Sequence, residues 1–351
     1  MPVTHGYQGH PASASAVLPD YAALEQALPS LTNQEAQSLK RLLGPVTDEV
    51  AAWCEKHDFI SPRSILPVST VIIVQHAGLS AEAICLVVQT VLWITAADDL
   101  FDGQALSEPD LSRIIADCLQ VACYPDARAS HPYAAALKEL RDSLATRTTW
   151  PPLQAPWAAA LTQVFDGSMY EYWMNRRFSG QSTNPSFPTF EEYFSFSRLS
   201  IGLAFLWLTG IIAEDRIELI PHVPDLLAFA AQCANALRLT NDLATYQRER
   251  REGTLNSVLV HAVQLRREKP GLTWQGAETE ALQLVERARA AAMERARIMA
   301  AALATPSGIQ KRLLRGLELG TEIYALRDVR EWAPQSTQPT YVSVTPSGER
   351  S

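Results

Sequence analysis

The stretch Ala96-Ala97-Asp98-Asp99-Leu100-Phe101-Asp102-Gly103 closes an apolar run that begins near residue 81. The run predicts a helix, on which residues i and i+4 lie on one face, so Asp98 and Asp102 point at the same object. Two like charges repel there, and at a helix C-terminus they also oppose the macrodipole. Either a cation lies between them or the motif is the solvated polar end of a buried helix.

The whole chain predicts an all-α fold, a single large bundle of ten or more helices. Alternating β-branched runs and Asn-Gly hairpin turns are absent from the 351-residue sequence, and 47% of its residues are hydrophobic, enough for a large core. Thr32 and Ser107 each begin a helix with a capping pattern, and a helix break is expected near Gly44-Pro45. Further helices are predicted at about 132–147, 155–177, 189–213, 222–252, 256–268, 274–305 and 308–332.

Composition also limits the setting of this bundle. Residues 1–19 are rich in Ser, Ala, Gly and Pro and are expected to be disordered; residues 20–332 form the single helical domain, and 333–351 a flexible tail. The net charge of −8 argues against a nucleic-acid partner. Five scattered cysteines and no signal-peptide pattern predict a cytoplasmic protein with reduced thiols. The run at 81–97 is shorter than a bilayer span, so no membrane span is expected.

A second polar motif lies within the predicted helix at 222–252. Asn241, Thr245 and Glu249 are spaced i, i+4, i+8, which drifts only about 80° around the helix axis. An amide oxygen, a hydroxyl and a carboxylate in one line suit Mg²⁺ better than zinc or copper. Such a line is common on solvated helix faces. Together with the first motif, however, it predicts two oxygen-rich clusters that suit a polyphosphate bridged by several Mg²⁺ ions.

The two motifs together resemble those of the class I terpene synthases. D-D-L-F-D at 98–102 is similar to that family's aspartate-rich motif, and N-D-L-A-T-Y-Q-R-E at 241–249 is similar to its N-D-x-x-S/T-x-x-x-E motif. Their order and their separation of about 140 residues also match, and the resemblance covers roughly residues 40–332. It implies the all-α terpenoid synthase fold and a lyase that acts on the carbon–oxygen bond of an isoprenoid diphosphate.

The resemblance implies a set of metal ligands. In the family, an isoprenoid diphosphate binds three Mg²⁺ ions and ionises to an allylic carbocation. By this similarity Asp98 and Asp102 hold two of the ions, and Asn241, Thr245 and Glu249 hold the third. The chemistry is consistent, because metal ions stabilise the charge that develops on a departing diphosphate oxygen.

Three arginines and a glycine complete the implied site. Arg198 lies 43 positions before Asn241, where the family has its diphosphate sensor, and Gly202 follows one turn later, where a main-chain carbonyl can approach the substrate. Arg248 and Arg238 resemble further diphosphate-binding arginines. For Arg198 an ordinary surface salt bridge stays the alternative.

The C-terminal segment departs from the family pattern. Bacterial members often end with W-x5-R-Y, whose Arg and Tyr bind the diphosphate, whereas here Trp332 is followed by Tyr341 without that arginine. We therefore leave Tyr341 unassigned and retain Trp332 as an aromatic residue facing the carbocation, where a cation–π contact would be strongest when desolvated.

The leading hypothesis is a class I terpene cyclase. Its small-molecule partner is an isoprenoid diphosphate, and family pattern favours a diterpene synthase acting on geranylgeranyl diphosphate or a bicyclic C20 diphosphate, with a sesquiterpene synthase acting on farnesyl diphosphate as the alternative. A chain-elongating prenyltransferase, which would carry a second aspartate-rich motif, and a non-enzymatic helical binding protein are the two rival hypotheses. The oligomeric state is left open, with a homodimer allowed.

Overall fold

A computed structural model describes residues 28, 30–102, 106–178 and 187–326. In these residues the chain forms α-helices, three short 3₁₀ turns and no strand, as the sequence predicts. The α-helices are α1 (Asn33–Lys56), α2 (Ile65–Gln75), α3 (Ala81–Asp102), α4 (Glu108–Cys123), α5 (Pro132–Leu144), α6 (Trp150–Phe178), α7 (Phe190–Ser200), α8 (Leu203–Glu214), α9 (Val223–Glu252), α10 (Ser257–Glu268), α11 (Trp274–Ala302) and α12 (Ile309–Leu326).

The predicted helix starts are confirmed. At α1, the Thr32 N–H donates to the Glu35 carboxylate at 2.7 Å, while the Glu35 N–H donates to the Thr32 hydroxyl at 3.3 Å. At α4, the Ser107 hydroxyl accepts from the N–H of Asp110. These side chains satisfy main-chain donors that have no partner inside the helix, which fixes where each helix begins.

The predicted break near Gly44-Pro45 is wrong, because α1 continues through Pro45 to Lys56. The face of α1 that packs into the core is apolar on both sides of the proline, with Leu42, Val46 and Val50 all buried. Burial of that continuous face outweighs the loss of one main-chain hydrogen bond at the proline.

Helix α3 is the centre of the bundle and packs against α1, α2, α5, α6 and α8. Its Ile84, Val87 and Trp93 are fully buried, as expected of a helix surrounded by other helices. By length and composition, α3 and the α7–α8 pair could each cross a membrane, but 72% and 67% of their apolar windows are buried inside the fold. Burial of most of an apolar helix within the fold is typical of core helices.

The predicted helix at 189–213 is broken into α7 and α8 at Gly202. This glycine has φ of +68°, a left-handed conformation that other residues adopt at a cost. A Cβ added there would lie 3.0 Å from Cδ1 of Ile94 on α3 and 3.3 Å from Cγ2 of Val164 on α6. The break therefore lies against two neighbouring helices, with no room for a side chain.

The long helix α9 packs against α8, α10, α11 and α12, and carries the second polar motif near its C-terminal end. The predicted loose segments 1–19 and 333–351 lie outside the described residues, as does the end of the helix predicted to reach residue 332. The limits of the domain therefore stay a prediction.

Candidate metal and diphosphate site

The first acidic motif forms one wall of a cavity. Asp98 and Asp102 lie one turn apart at the end of α3, and both line the cavity. Phe101 between them is buried and its ring lies 6.4 Å from that of Phe165 on α6, which fixes the rotation of the last turn. Asp99 points elsewhere and is exposed. The predicted convergence of Asp98 and Asp102 on one object is thus consistent with the fold.

The second motif forms the opposite wall. Asn241 and Glu249 of α9 line the same cavity. Thr245 is buried instead, and its hydroxyl donates to the main-chain carbonyl of Asn241 at 2.8 Å. Helix α9 ends at Glu252, and the next residue, Gly253, has a φ of +76° that allows its N–H to donate to the Glu249 carbonyl. The chain therefore changes direction shortly after Glu249, the last of the predicted metal ligands.

The cavity between these walls has a volume of about 120 Å³. We call it the acidic cavity, since Asp98, Asp102 and Glu249 line it together with Glu171 of α6. Its remaining lining is contributed by Ile94, Thr95, Ser200, Ile201, Arg238, Asn241, Arg248, Thr254, Leu255 and Tyr324.

The electrostatics of the acidic cavity favour a cation. Burial and the neighbouring Asp242 carboxylate raise the pKa of Glu249 to about 7, although Asn256 and two arginines act in the opposite direction. Burial also raises the pKa of Glu171. Carboxyl groups crowded in this way are stabilised as anions when a positive charge lies between them.

The donor set fits a hard divalent cation. Oxygen atoms of carboxylates and amides are the ligands that Mg²⁺ prefers, and the cavity offers no sulfur or imidazole ligand from the described residues. In the same part of the chain, no three His, Cys, Asp or Glu side chains are arranged to hold a metal by themselves. That is compatible with Mg²⁺, which usually takes one or two carboxylates and completes its shell with water or substrate phosphate.

The two arginines of α9 have different surroundings. Arg248 lines the cavity with a quarter of its side chain exposed, and its guanidinium lies 2.8 Å from Glu252 and 3.5 Å from Glu249. Arg238 borders the cavity but is only 7% exposed, and its guanidinium lies 2.6 Å from Glu171 and 2.9 Å from Asp242. Arg248 therefore faces the space of the cavity, whereas Arg238 belongs to its wall.

Arg198 and Gly202 line a second cavity. This one has a volume of about 370 Å³ and lies between α6, the α7–α8 break and the N-terminal half of α9. Most of its lining is alanine and other apolar residues, and we call it the apolar cavity. The structure thus brings together Asp98, Asp102, Asn241, Glu249, Arg238 and Arg248. It does not bring Arg198, Gly202 or Thr245 into that cavity, and Trp332 lies outside the described residues, so these assignments stay predictions.

Four polar residues of the site were missed from the sequence. Glu171 and Tyr193 lie on α6 and α7, Asp242 follows Asn241, and Asn256 begins α10. The amide of Asn256 donates to the carboxylate of Glu249 at 2.6 Å and to the main-chain carbonyl of Asp242 at 2.8 Å. Asp242 is part of the quoted second motif, whereas nothing in the sequence marked Glu171.

Comparisons with known proteins agree with this geometry. Residues 89–291 match the sequence family described as terpene synthase family 2, C-terminal metal binding. Over 170 residues the chain is 26% identical to ent-pimara-9(11),15-diene synthase of Streptomyces sp. strain KO-3988, a stretch that covers 48% of this chain and 55% of that protein. Over 99 residues it is 32% identical to the bifunctional cis-abienol synthase of Abies balsamea, covering 28% of this chain and 10% of that protein. The matches therefore span about half or less of these relatives.

Solved structures share the fold at low identity. The structure of 2-methylisoborneol synthase from Streptomyces coelicolor A3(2), in complex with Mg²⁺ and geranyl-S-thiolodiphosphate, superposes with a TM-score of 0.61 at 16% identity, covering 85% of this chain and 92% of that one. Linalool/nerolidol synthase from Streptomyces clavuligerus gives a TM-score of 0.59 at 16% identity, covering 83% and 94%. The family match includes both polar motifs and 203 of 351 residues, from 89 to 291. The chain belongs to the terpene synthase family, in the group with a C-terminal metal-binding domain.

Proposed function

We propose that this chain is a class I terpene cyclase, a lyase that ionises an isoprenoid diphosphate and cyclises the resulting carbocation. The observation that carries the proposal is the convergence of two motifs, 143 residues apart in the chain, on one cavity. Asp98 and Asp102 approach it from α3, and Asn241 and Glu249 approach it from α9. A solvated polar helix end would give no reason for the two motifs to meet.

Each residue of the acidic cavity has a role in this proposal. Asp98, Asp102, Asn241 and Glu249 would hold divalent metal ions, and the family resemblance implies three such ions. Thr245 is the remaining predicted metal ligand. Bound Mg²⁺ supplies charge neutralisation of the diphosphate and stabilises the departing oxygen. Arg248, which faces the cavity, would donate N–H hydrogen bonds to the phosphate oxygens. Ile94, Ile201 and Leu255 exclude water from the carbon end, which protects a carbocation from being trapped early.

For the substrate we propose a C20 diphosphate, either geranylgeranyl diphosphate or a bicyclic one. One of the relatives, which matches over 170 residues at 26% identity, is a diterpene synthase, and this similarity supports a C20 substrate. Farnesyl diphosphate is the second candidate because of the cavity volume. About 120 Å³ is small beside the ~300 Å³ and more of most small-molecule sites, and a shorter chain needs less rearrangement of the walls.

The free thiols support the proposed cellular setting. All five cysteines lie in the described part of the chain and are free, four of them buried. Burial raises the pKa of Cys54 and Cys85 to about 12, so these thiols are unreactive at neutral pH. We propose a single catalytic domain over residues 20–332 that works in the reducing cytoplasm. Whether it is a monomer or a homodimer can be measured by light scattering after size-exclusion chromatography.

The proposal is tested by incubating the purified protein and Mg²⁺ with C10, C15, C20 and bicyclic C20 diphosphates. Pyrophosphate release and the extracted hydrocarbons are measured with and without a chelator. We expect metal-dependent release with a cyclic product from one or two substrates, a C20 compound among them. Absence of a hydrocarbon from all four would refute the cyclase. In a parallel incubation that also contains a C5 isoprenoid diphosphate as co-substrate, a longer linear diphosphate would indicate a prenyltransferase.

A variant pair tests the metal assignment. Asn241→Ala with Glu249→Ala removes both cavity-lining oxygen ligands of α9 and should abolish release. Asn235→Ala makes the same kind of change on the same helix, outside the lining of either cavity, and should retain release. Equal release from the double variant and from Asn235→Ala would refute the metal site.

A further inference from the structure

Arg238 makes several polar contacts within the wall of the acidic cavity. Its Nη1 donates to the Ser197 carbonyl and to the Ser200 hydroxyl, both at 3.3 Å. Its Nη2 donates to the Tyr193 hydroxyl at 2.6 Å and lies 2.6 Å from Glu171, while Nε lies 2.9 Å from Asp242. Of its contacts, those to Ser197, Ser200 and Tyr193 are hydrogen bonds and those to Glu171 and Asp242 are ion pairs, while Nε has no hydrogen-bond partner among the described residues.

We propose that Arg238 is a positioning residue for the ionisation step and does not bind the diphosphate. The family resemblance implies that Arg238 binds the diphosphate, whereas in this structure its guanidinium contacts other groups of the protein. Two carboxylates already neutralise it, and it is 93% buried. Turning it towards a ligand would take the guanidinium charge away from Glu171 and Asp242, both of which are paired with it inside the protein, and breaking such a pair is costly. This inference rests on the proposed function, since it concerns the same site.

On one side, the contacts of Arg238 hold the end of α7. Ser197 and Ser200 lie in the last turn of α7, directly before the break at Gly202. Main-chain carbonyls at a helix end have no partner within the helix, and Arg238 supplies one for Ser197. The ring of Tyr193, one turn earlier, lies 5.7 Å from the guanidinium carbon. Arg238 therefore fixes the helix turn that carries Ser200 and Ile201 into the cavity.

On the other side, the contacts lead to the predicted metal ligand Glu249. Asp242 binds Arg238 through one oxygen and accepts from the Ser257 N–H through the other at 3.2 Å. Asn256, next to Ser257, donates to the Asp242 carbonyl and to the Glu249 carboxylate. Tyr193 also donates to the Leu255 carbonyl at 3.2 Å. The segment 255–257 is thus held by partners of Arg238 and in turn orients Glu249.

The test compares two arginines of one helix. Arg238→Lys keeps the charge and removes the planar fork. Arg248→Met removes the arginine that faces the cavity. For each variant we would measure kcat and KM for the best prenyl diphosphate, the Kd for inorganic pyrophosphate with Mg²⁺ by calorimetry, and Tm.

For Arg238→Lys we expect a fall in kcat of about 10- to 100-fold, as for residues that orient metal ligands, with the pyrophosphate Kd within about twofold of wild type. For Arg248→Met we expect the pyrophosphate Kd to rise about tenfold, the equivalent of losing one good charged hydrogen bond. If Arg238→Lys weakens pyrophosphate binding as much as Arg248→Met does, Arg238 is a diphosphate ligand and the proposal is wrong. It is also wrong if only Tm falls and kcat per folded molecule is unchanged.

A second pair keeps the proposal testable if Arg238→Lys does not fold. Tyr193→Phe removes one acceptor and keeps the ring, and Glu171→Gln removes one charge. The double variant should lose no more kcat than the worse single variant, because the residues act through one arginine. Independent, multiplying losses would contradict this. If the wild type releases no pyrophosphate from any prenyl diphosphate, the proposed function fails, and the calorimetric comparison still decides whether Arg238 binds the anion.

Discussion

The acidic and the apolar cavity lie on either side of the α7–α8 break and are built differently. Ser200 and Ile201 line the first, whereas Arg198, Leu199 and Gly202 line the second. Charged groups from α3, α6 and α9 meet in the first, while the second is lined mainly by small apolar side chains. Neighbouring residues of one short segment, 198–202, thus line an electrostatic and an apolar space. An assignment of function from sequence spacing alone would place all of these residues in one site, although they line two different cavities.

The largest effect is expected from Asp98→Asn. This change removes a carboxylate from the acidic cavity without altering its shape, and loss of one such electrostatic partner typically costs 100-fold or more in rate, about 2.7–4 kcal/mol. Asp99→Asn is the matched control, since that neighbour is exposed and outside the lining. Rates of pyrophosphate release measure both. Similar losses in the two variants would mean that the charge of the motif matters and its orientation does not.

The next largest effect is expected from replacing Arg248, which lines the acidic cavity, in comparison with Arg198, which lines the apolar cavity. Arg248→Met should raise KM for the prenyl diphosphate about tenfold, because this arginine faces the acidic cavity. Arg198→Met should change KM by about threefold at most, since Arg198 lines the apolar cavity. Steady-state kinetics of both variants decide the matter. An equal or larger effect of Arg198→Met would support its predicted role as diphosphate sensor and imply that α7 turns when substrate binds.

A moderate effect on stability is expected from Gly202→Ala. The new Cβ would lie 3.0 Å from Ile94 and 3.3 Å from Val164, and φ of +68° is strained for alanine. We expect a loss of about 1–3 kcal/mol in the free energy of unfolding, measured by denaturant titration. Gly271→Ala is the control, because no atom lies within 4 Å of its added Cβ. A Gly202→Ala protein as stable as the control would show that the wall between the cavities yields easily.

The smallest effect is expected from Ala231→Met in the apolar cavity. Ala231 is exposed and lines this space from α9, so a longer side chain can enter it without strain. Pyrophosphate release should stay within about twofold of wild type, as for most exposed substitutions. A large loss of release would show that the apolar cavity takes part in ionisation and would remove the distinction between the two spaces.

The sequence was sufficient for the fold class and for the two motifs. Both depend on local spacing: Asp98 and Asp102 share a helix face because they are four residues apart, and the apolar run before them predicts a core helix. It was insufficient where partners come from distant segments. Arg238 meets Glu171 and Tyr193, which lie 67 and 45 positions earlier in the chain, and no periodicity relates them.

The two errors of detail have physical causes. At Pro45 the local preference for a break was overruled by burial of the helix face on both sides. At Gly202 a positive φ rotates the chain and divides the helix predicted at 189–213 into α7 and α8, while Arg198 and Gly202 still line one cavity. A glycine within a predicted helix allows such a rotation, but its sign and size depend on the neighbours Ile94 and Val164.

For the proposed prenyl substrate, the small volume of the acidic cavity has a consequence for the time course of binding. A space of about 120 Å³ would have to widen before the prenyl chain enters it, and such rearrangements take microseconds to milliseconds. The observed association rate in stopped-flow mixing should therefore rise with substrate concentration and then level off at the rate of widening. Inorganic pyrophosphate, which needs no room for a hydrocarbon, should show no such plateau. The length of the carbon chain would then determine the maximum rate at which a ligand enters the site.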